Sequence, residues 1–163
     1  MSIANRWLLL SCALLLGALA PLRAPLRAAD QDPLVLVASA QGELKDLSLS
    51  ELRRAYEGYP VEYASGKRVI PFNLPSGTPD RAHFDRELFG MTPDEMARFW
   101  VDQRIRGQSQ QPRALASPEL AVRVVAALQG AVAYVRASTL NPTVRVLTID
   151  GKTSETPGYP LAP

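Results

Sequence analysis

The 163 residues carry 18 Lys and Arg against 16 Asp and Glu, a formal net charge of +2, with one His and one Cys. A balance so near neutrality lacks the clustered basic excess that nucleic-acid binding requires, so no nucleic-acid partner is expected. One His and one Cys leave no ligand set for a transition-metal site, and no cofactor is expected.

The chain opens with "MSIANRWLLLSCALLLGALA", in which Arg6 precedes an apolar run from Trp7 to Ala20. That run falls short of the ~20 apolar residues that a stable span needs, and it reads as a secretory signal peptide. With Leu26 at −3 and Ala28 at −1, residues 1–28 form the expected signal peptide and Ala29 the mature N-terminus. Cys12 sits inside the apolar run, with too little hydrophobic sequence before it for a lipoprotein site. Cleavage leaves 135 residues without cysteine, and removes Arg6, Arg23 and Arg27, so that 15 basic residues face 16 acidic ones. The expected product is a periplasmic domain with no disulfide and no stable membrane span after cleavage.

Residues 29–33 end a Pro- and charge-punctuated stretch and read as a flexible leader. "PLVLVAS" is an apolar, Val-containing run of strand length. In "LSLSELRRAYEG", Ser48 and Glu51 make a capping box, Leu49, Leu52 and Tyr56 recur at helical spacing, and Gly58 suits a left-handed helix end. "GKRVIPFN" reads as a strand that Pro71 pushes toward an edge or an end. Three further helices open with a hydroxyl, a proline and an acid, at Thr78, Thr92 and Ser117. The hydroxyl caps, proline fits the first turn, and the acid meets the positive end of the helix dipole. Gly90, Gly107 and Gly130 are their expected stops. "GAVAYV" and "TVRVLTID" read as strands, and residues 153–163 as a flexible tail. Alternating strands and helices predict an α/β fold, a sandwich layered on a small mixed sheet.

Taken in order, these pieces resemble the phosphate-binding-protein-like branch of the type 2 periplasmic binding proteins. The resemblance rests on Gly58, Tyr63, Gly66 with Lys67 and Arg68, Ser76–Gly77–Thr78, Trp100, and the strand from Gly130 to Val135. It covers residues 34–152 and implies a single-lobe periplasmic-binding-protein-like layered sandwich, a small mixed sheet flanked by helices. It also implies a binding protein rather than an enzyme, whose ligand is phosphate or a similar oxyanion and whose partners are ABC transporter membrane subunits. Two features depart from the family. Phe72 stands where phosphate-gripping members carry an arginine, and the chain is about half as long as the family's two-lobed clamp.

The ligand site that the resemblance points to is Ser76, Gly77, Thr78 and Arg81. A helix N-terminus presents unpaired N–H groups and part of a positive charge. Gly77 leaves the backbone open to close approach. The Ser76 hydroxyl can donate, Thr78 can cap the helix and still donate toward an oxyanion, and Arg81 can replace the missing upstream arginine. The plainer alternative is that "PSGTP" is a turn followed by a well-capped helix, with Arg81 merely offsetting Asp85 on the surface. His83 and Asp85 lie two apart on one helix and point to different faces, which excludes a Ser76–His83–Asp85 relay. Phe84, Leu88, Met96, Phe99 and Trp100 sit at helical spacing and are expected in the core. Trp100 and Tyr134 are also candidates for a groove, and Arg53 and Arg54 for a solvated helix face. Two functions follow: oxyanion binding, or a ligand-free periplasmic interaction module that keeps the fold. A single lobe also leaves one face open to self-association.

Overall fold

Leu34–Ser39 (β1) is apolar at consecutive positions, the pattern of a strand covered on both faces, and all six of its residues are buried. The computed structural model describes residues 32–162, so the expected signal peptide lies outside the described residues. After β1 come the short strand Asp46–Leu47 (β2), the helix Leu49–Tyr56 (α1), and the short strands Glu62–Tyr63 (β3), Lys67–Arg68 (β4) and Ile70–Pro71 (β5). The helices Pro79–Phe89 (α2), Pro93–Ile105 (α3) and Pro118–Ala127 (α4) follow in succession. Ala131–Arg136 (β6), Val144–Val146 (β7) and Thr148–Ile149 (β8) complete the described fold.

The principal sheet has the order β5-β6-β1-β7. β1 runs antiparallel to β6, with Leu36 opposite Tyr134, and antiparallel to β7, with Val37 opposite Val146. β6 runs parallel to β5, so the sheet is mixed, as expected. Alternation along β1 separates two helix layers. Ser39 donates to the Ala126 carbonyl of α4 at 3.1 Å, placing α4 on the face of Val35 and Val37. Leu36 and its partner Tyr134 face the other way, where Tyr134 meets α1 and α2.

That second face is closed by an aromatic trio. The Phe84 ring stacks on Tyr134, with centroids 3.8 Å apart and planes 10° from parallel, and Tyr56 lies 4.7 Å from Phe84. Both phenols are buried and both are satisfied: Tyr56 donates to the Phe72 carbonyl (3.0 Å) and Tyr134 to Asn73 Oδ1 (3.2 Å). Burial pushes both phenols well above their ordinary value, so each remains a protonated donor at neutral pH.

The four helices start where their caps predict. Ser48 with Glu51 and Thr92 with Glu95 form complete capping boxes, and Thr78 and Ser117 accept from the N–H three residues on. Gly90 closes α2 in the left-handed conformation, at φ 68°. Gly130 has another task, because α4 already ends at Ala127 with Leu128 in extended conformation. At Gly130 a Cβ would lie 2.3 Å from the Arg68 carbonyl oxygen, and φ is +80°. The residue lets β6 start against β4 and β5. Gly130→Ala is therefore expected to cost about 2–4 kcal/mol, combining overpacking with a strained backbone. An unfolding free energy from urea titration within ~0.5 kcal/mol of wild type would refute that reading.

Four expectations change. The run from Gly66 to Asn73 is divided, because β4 pairs with β3 while β5 crosses to β6. The run from Thr143 to Asp150 divides at Leu147 in the same way, β7 pairing with β1 and β8 with β2. The tail expected over 153–163 is packed where it carries apolar side chains. Tyr159 and Leu161 are buried in the core, and the Tyr159 hydroxyl accepts from the Leu36 N–H at 3.3 Å. At the other end, Asp32 and Pro33 of the expected flexible leader are tied down: Asp32 Oδ1 accepts from the Ser138 N–H (2.8 Å) and the Pro33 carbonyl from Ala137 (2.9 Å). Among the described residues no helix is long and apolar enough to cross a membrane.

Candidate functional site

The segment Asn73–Thr78 leaves β5 and enters α2, and Asn73 fixes its course. Asn73 is buried, donates its N–H to the Arg113 carbonyl (2.9 Å) and accepts from the Leu115 N–H (2.8 Å). The Tyr134 hydroxyl donates to Asn73 Oδ1 and accepts from the Leu74 N–H at 3.2 Å. A sheet residue thus anchors the loop by two consecutive positions. Pro75 follows, Ser76 and Gly77 are exposed, and Gly77 adopts φ +86°. A Cβ at Gly77 would meet nothing within 4 Å. Glycine is required here by the left-handed turn rather than by a crowded approach.

Thr78 is the N-cap of α2, its Oγ1 accepting from the Arg81 N–H at 3.4 Å. Its hydroxyl proton goes to the Pro75 carbonyl at 2.9 Å. The one proton it carries closes the turn here, so the expected donation from Thr78 to an oxyanion requires that bond to open. Asp80 in the first turn pairs with Arg136 at 2.7 Å, so its charge at the helix N-terminus is offset from β6.

Arg81 departs most from the surface pair considered as its plainer reading. It is buried, and its Nε contacts Asp85 Oδ2 at 2.6 Å with both side chains 5 % exposed. Its Nη1 donates to the Leu74 carbonyl at 3.5 Å. The Tyr134 hydroxyl also engages the Arg81 side chain, so of a guanidinium's five N–H donors only those beyond these three engagements remain for a ligand. Asp85 is pushed above the ordinary carboxylate range, mainly by burial, with Arg81 opposing the shift. Loss of hydration outweighs the attraction of the partner, as expected for an ion pair withdrawn from water. Asp85 Oδ1 has no hydrogen-bond partner among the described residues.

Ser76, Gly77 and Arg81 line one pocket of about 220 Å³ between α2 and α3; Thr78 lies outside its lining. Asp85, Met96 and Trp100 also border it, and Arg104 and Gln111 stand on its polar side. Met96 and Trp100 are buried as expected, but they form this wall rather than joining the main apolar cluster. Trp100 Nε1 likewise has no partner among the described residues. Phe72, in the place of the family arginine, packs against the core and donates its N–H to the Val132 carbonyl at 2.8 Å. His83 Nε2 bonds the Leu161 carbonyl (3.2 Å) while Asp85 holds Arg81, so these two side chains serve separate partners. Arg53 is exposed, yet its Nε donates to the Leu88 carbonyl at 2.6 Å and ties α1 to α2.

Asp85 and Trp100 are the members of this pocket that sequence reasoning undervalued. The i,i+4 spacing of Arg81 and Asp85 shows the pair but not its burial, and helical spacing marks Trp100 chiefly as core.

No family model and no curated protein matches this chain. Solved structures do. An ABC-type phosphate transport receptor from Vibrio cholerae superposes with TM-score 0.61 at 13% identity, covering 80% of this chain and 53% of that one. PstS from Borrelia burgdorferi gives TM-score 0.56 at 11% identity, covering 75% and 49%. A Clostridium perfringens structure with bound phosphate, described as a phosphate ABC transporter substrate-binding protein, gives TM-score 0.56 at 16% identity, covering 74% and 46%. In fold, the chain is similar to the phosphate-type substrate-binding proteins, in a short single-lobe form that spans about half the length of these structures.

Proposed function

We propose that the chain is an exported, non-enzymatic binding domain that takes phosphate or a similar oxyanion at the N-terminus of α2, in support of an ABC phosphate transporter. The observation that carries this reading is the meeting of Ser76, Gly77 and Arg81 around one pocket. A helix N-terminus attracts anions through its free N–H groups and its dipole. Arg81 adds a cation, and Ser76 adds a hydroxyl at the rim. The phosphate-type fold supports the choice of ligand.

Isothermal calorimetry with phosphate, sulfate and a neutral control tests it. Ser76→Ala is expected to weaken phosphate binding about tenfold or more, the effect of losing one hydrogen bond to a charged ligand. Thr78→Val, by contrast, is expected to lower folding stability by about 1 kcal/mol and leave affinity nearly unchanged, because its hydroxyl serves the turn and the cap. Wild-type protein that binds neither anion at millimolar concentration refutes this reading.

A second reading, a protein-interaction module without a ligand, is favoured by a different observation. Val101, which borders the pocket, and Ile105, one turn further along α3, are 55% and 79% exposed, and the chain spans only about half of its structural neighbours. Exposed apolar side chains grouped on one helix suit a contact surface, with a second copy or a partner.

A further inference from the structure

Behind the wall of the pocket between α2 and α3 lie two covered polar atoms without partners among the described residues. Asp85 Oδ1 is an acceptor without a donor, and Trp100 Nε1 is a donor without an acceptor. Their residues border the pocket from different helices, α2 and α3. Leaving buried polar atoms unpaired is costly, and native structures rarely do so without a reason. Asp85 meets Arg81 through Oδ2 alone, which contacts Nε.

We propose that this pocket takes a small organic phosphoester bearing an amine, its phosphoryl group at Ser76–Gly77 and its ammonium at Asp85. The proposal rests on the oxyanion reading of that corner and narrows it. An ammonium has three donors and no acceptor, which suits a lone carboxylate oxygen. A bare oxyanion in the same place presents acceptors to an acceptor and like charge to like charge. The wall between the two ends is apolar, formed by Pro93, Met96, Ala97 and Trp100, and suits a short methylene linker. The pocket's 220 Å³ also exceeds several times the ~30 Å³ share of a water molecule. An inorganic ion at the helix end therefore leaves the apolar wall uncovered. Met96 has three rotatable bonds, so the wall can yield as the ammonium reaches the covered oxygen. Trp100 Nε1–H is then available to a phosphoester oxygen.

Three probes separate the possibilities by calorimetry on the wild-type protein: phosphoethanolamine, propyl phosphate and inorganic phosphate. Phosphoethanolamine is expected to bind at least tenfold more tightly than propyl phosphate, which has the same length but a methyl group in place of the ammonium. Asp85→Asn should reduce that ratio to near one, and Trp100→Phe should weaken phosphoethanolamine binding severalfold. Circular dichroism establishes that each variant is folded; if Asp85→Asn is not, the wild-type ratio decides alone. Equal affinities for phosphoethanolamine and propyl phosphate, or tighter binding of inorganic phosphate, overturn this inference and leave the oxyanion reading standing. No binding of any of the three at millimolar concentration overturns both.

Discussion

Arg81→Met is expected to lower the unfolding free energy by about 3–5 kcal/mol at neutral pH, the usual cost of removing one partner from a buried ion pair. The side chains of Arg81 and Asp85 are each 5 % exposed, so the variant leaves a carboxylate charge with neither water nor a cation to offset it. The loss should depend on pH in a definite direction. Asp85 already titrates above the ordinary carboxylate value because burial outweighs the attraction of Arg81, and removing Arg81 raises it further. A carboxyl raised in the folded state binds its proton more tightly there than in the unfolded chain. Its stabilising share is full below the unfolded value, ~3.9, and is lost as pH rises through the raised folded value. The deficit of the variant should therefore narrow in mild acid. Urea titrations at neutral and acidic pH measure both effects, and a loss below about 1 kcal/mol with no pH dependence would show that the pair is not effectively buried. Pairing Arg81→Met with Asp85→Leu should restore most of the stability, since apolar groups of similar size can replace a buried pair.

Phe84→Ala is expected to cost about 3–5 kcal/mol, as large aromatic truncations in a closed core do. Phe84 is fully buried, stacks on Tyr134 at 3.8 Å and touches Tyr56 at 4.7 Å. Its removal leaves a cavity between α2 and the sheet and takes the support from a phenol that fixes Asn73 and Leu74. Phe84→Leu, which keeps much of the volume, should cost only about 1–1.5 kcal/mol. Equal losses for Ala and Leu would mean that the site relaxes and that stacking contributes nothing.

The elements legible in the sequence are those whose signals are local. Ser48, Thr78, Thr92 and Ser117 each mark a helix start because cap and recipient N–H are three residues apart. β1 and β6 are legible because a continuous apolar run of strand length has one simple home. The pieces that escaped depend on distant partners. β4 and β5 are separate because Glu62 and Ala131, far apart in sequence, claim neighbouring stretches. The burial of Tyr159 and Leu161 needs a site on the core that no local pattern announces. The candidate site divides in the same way. Ser76, Gly77 and Arg81 could be placed near one another from their spacing, but α3 covers Arg81 only through tertiary packing. The fate of the Thr78 proton turned on the orientation of the Pro75 carbonyl.

The pairing of β1 with β6 and β7 also governs when the chain can fold. Leu34 meets Arg136 and Ser39 meets Val144, each across about a hundred intervening residues. Loop-closure entropy must be met before such pairs return any stability. The most apolar strand of the domain therefore has no sheet to join until the chain beyond Ala131 is available. An early segment that waits on a late one remains an unpaired apolar strand through most of synthesis.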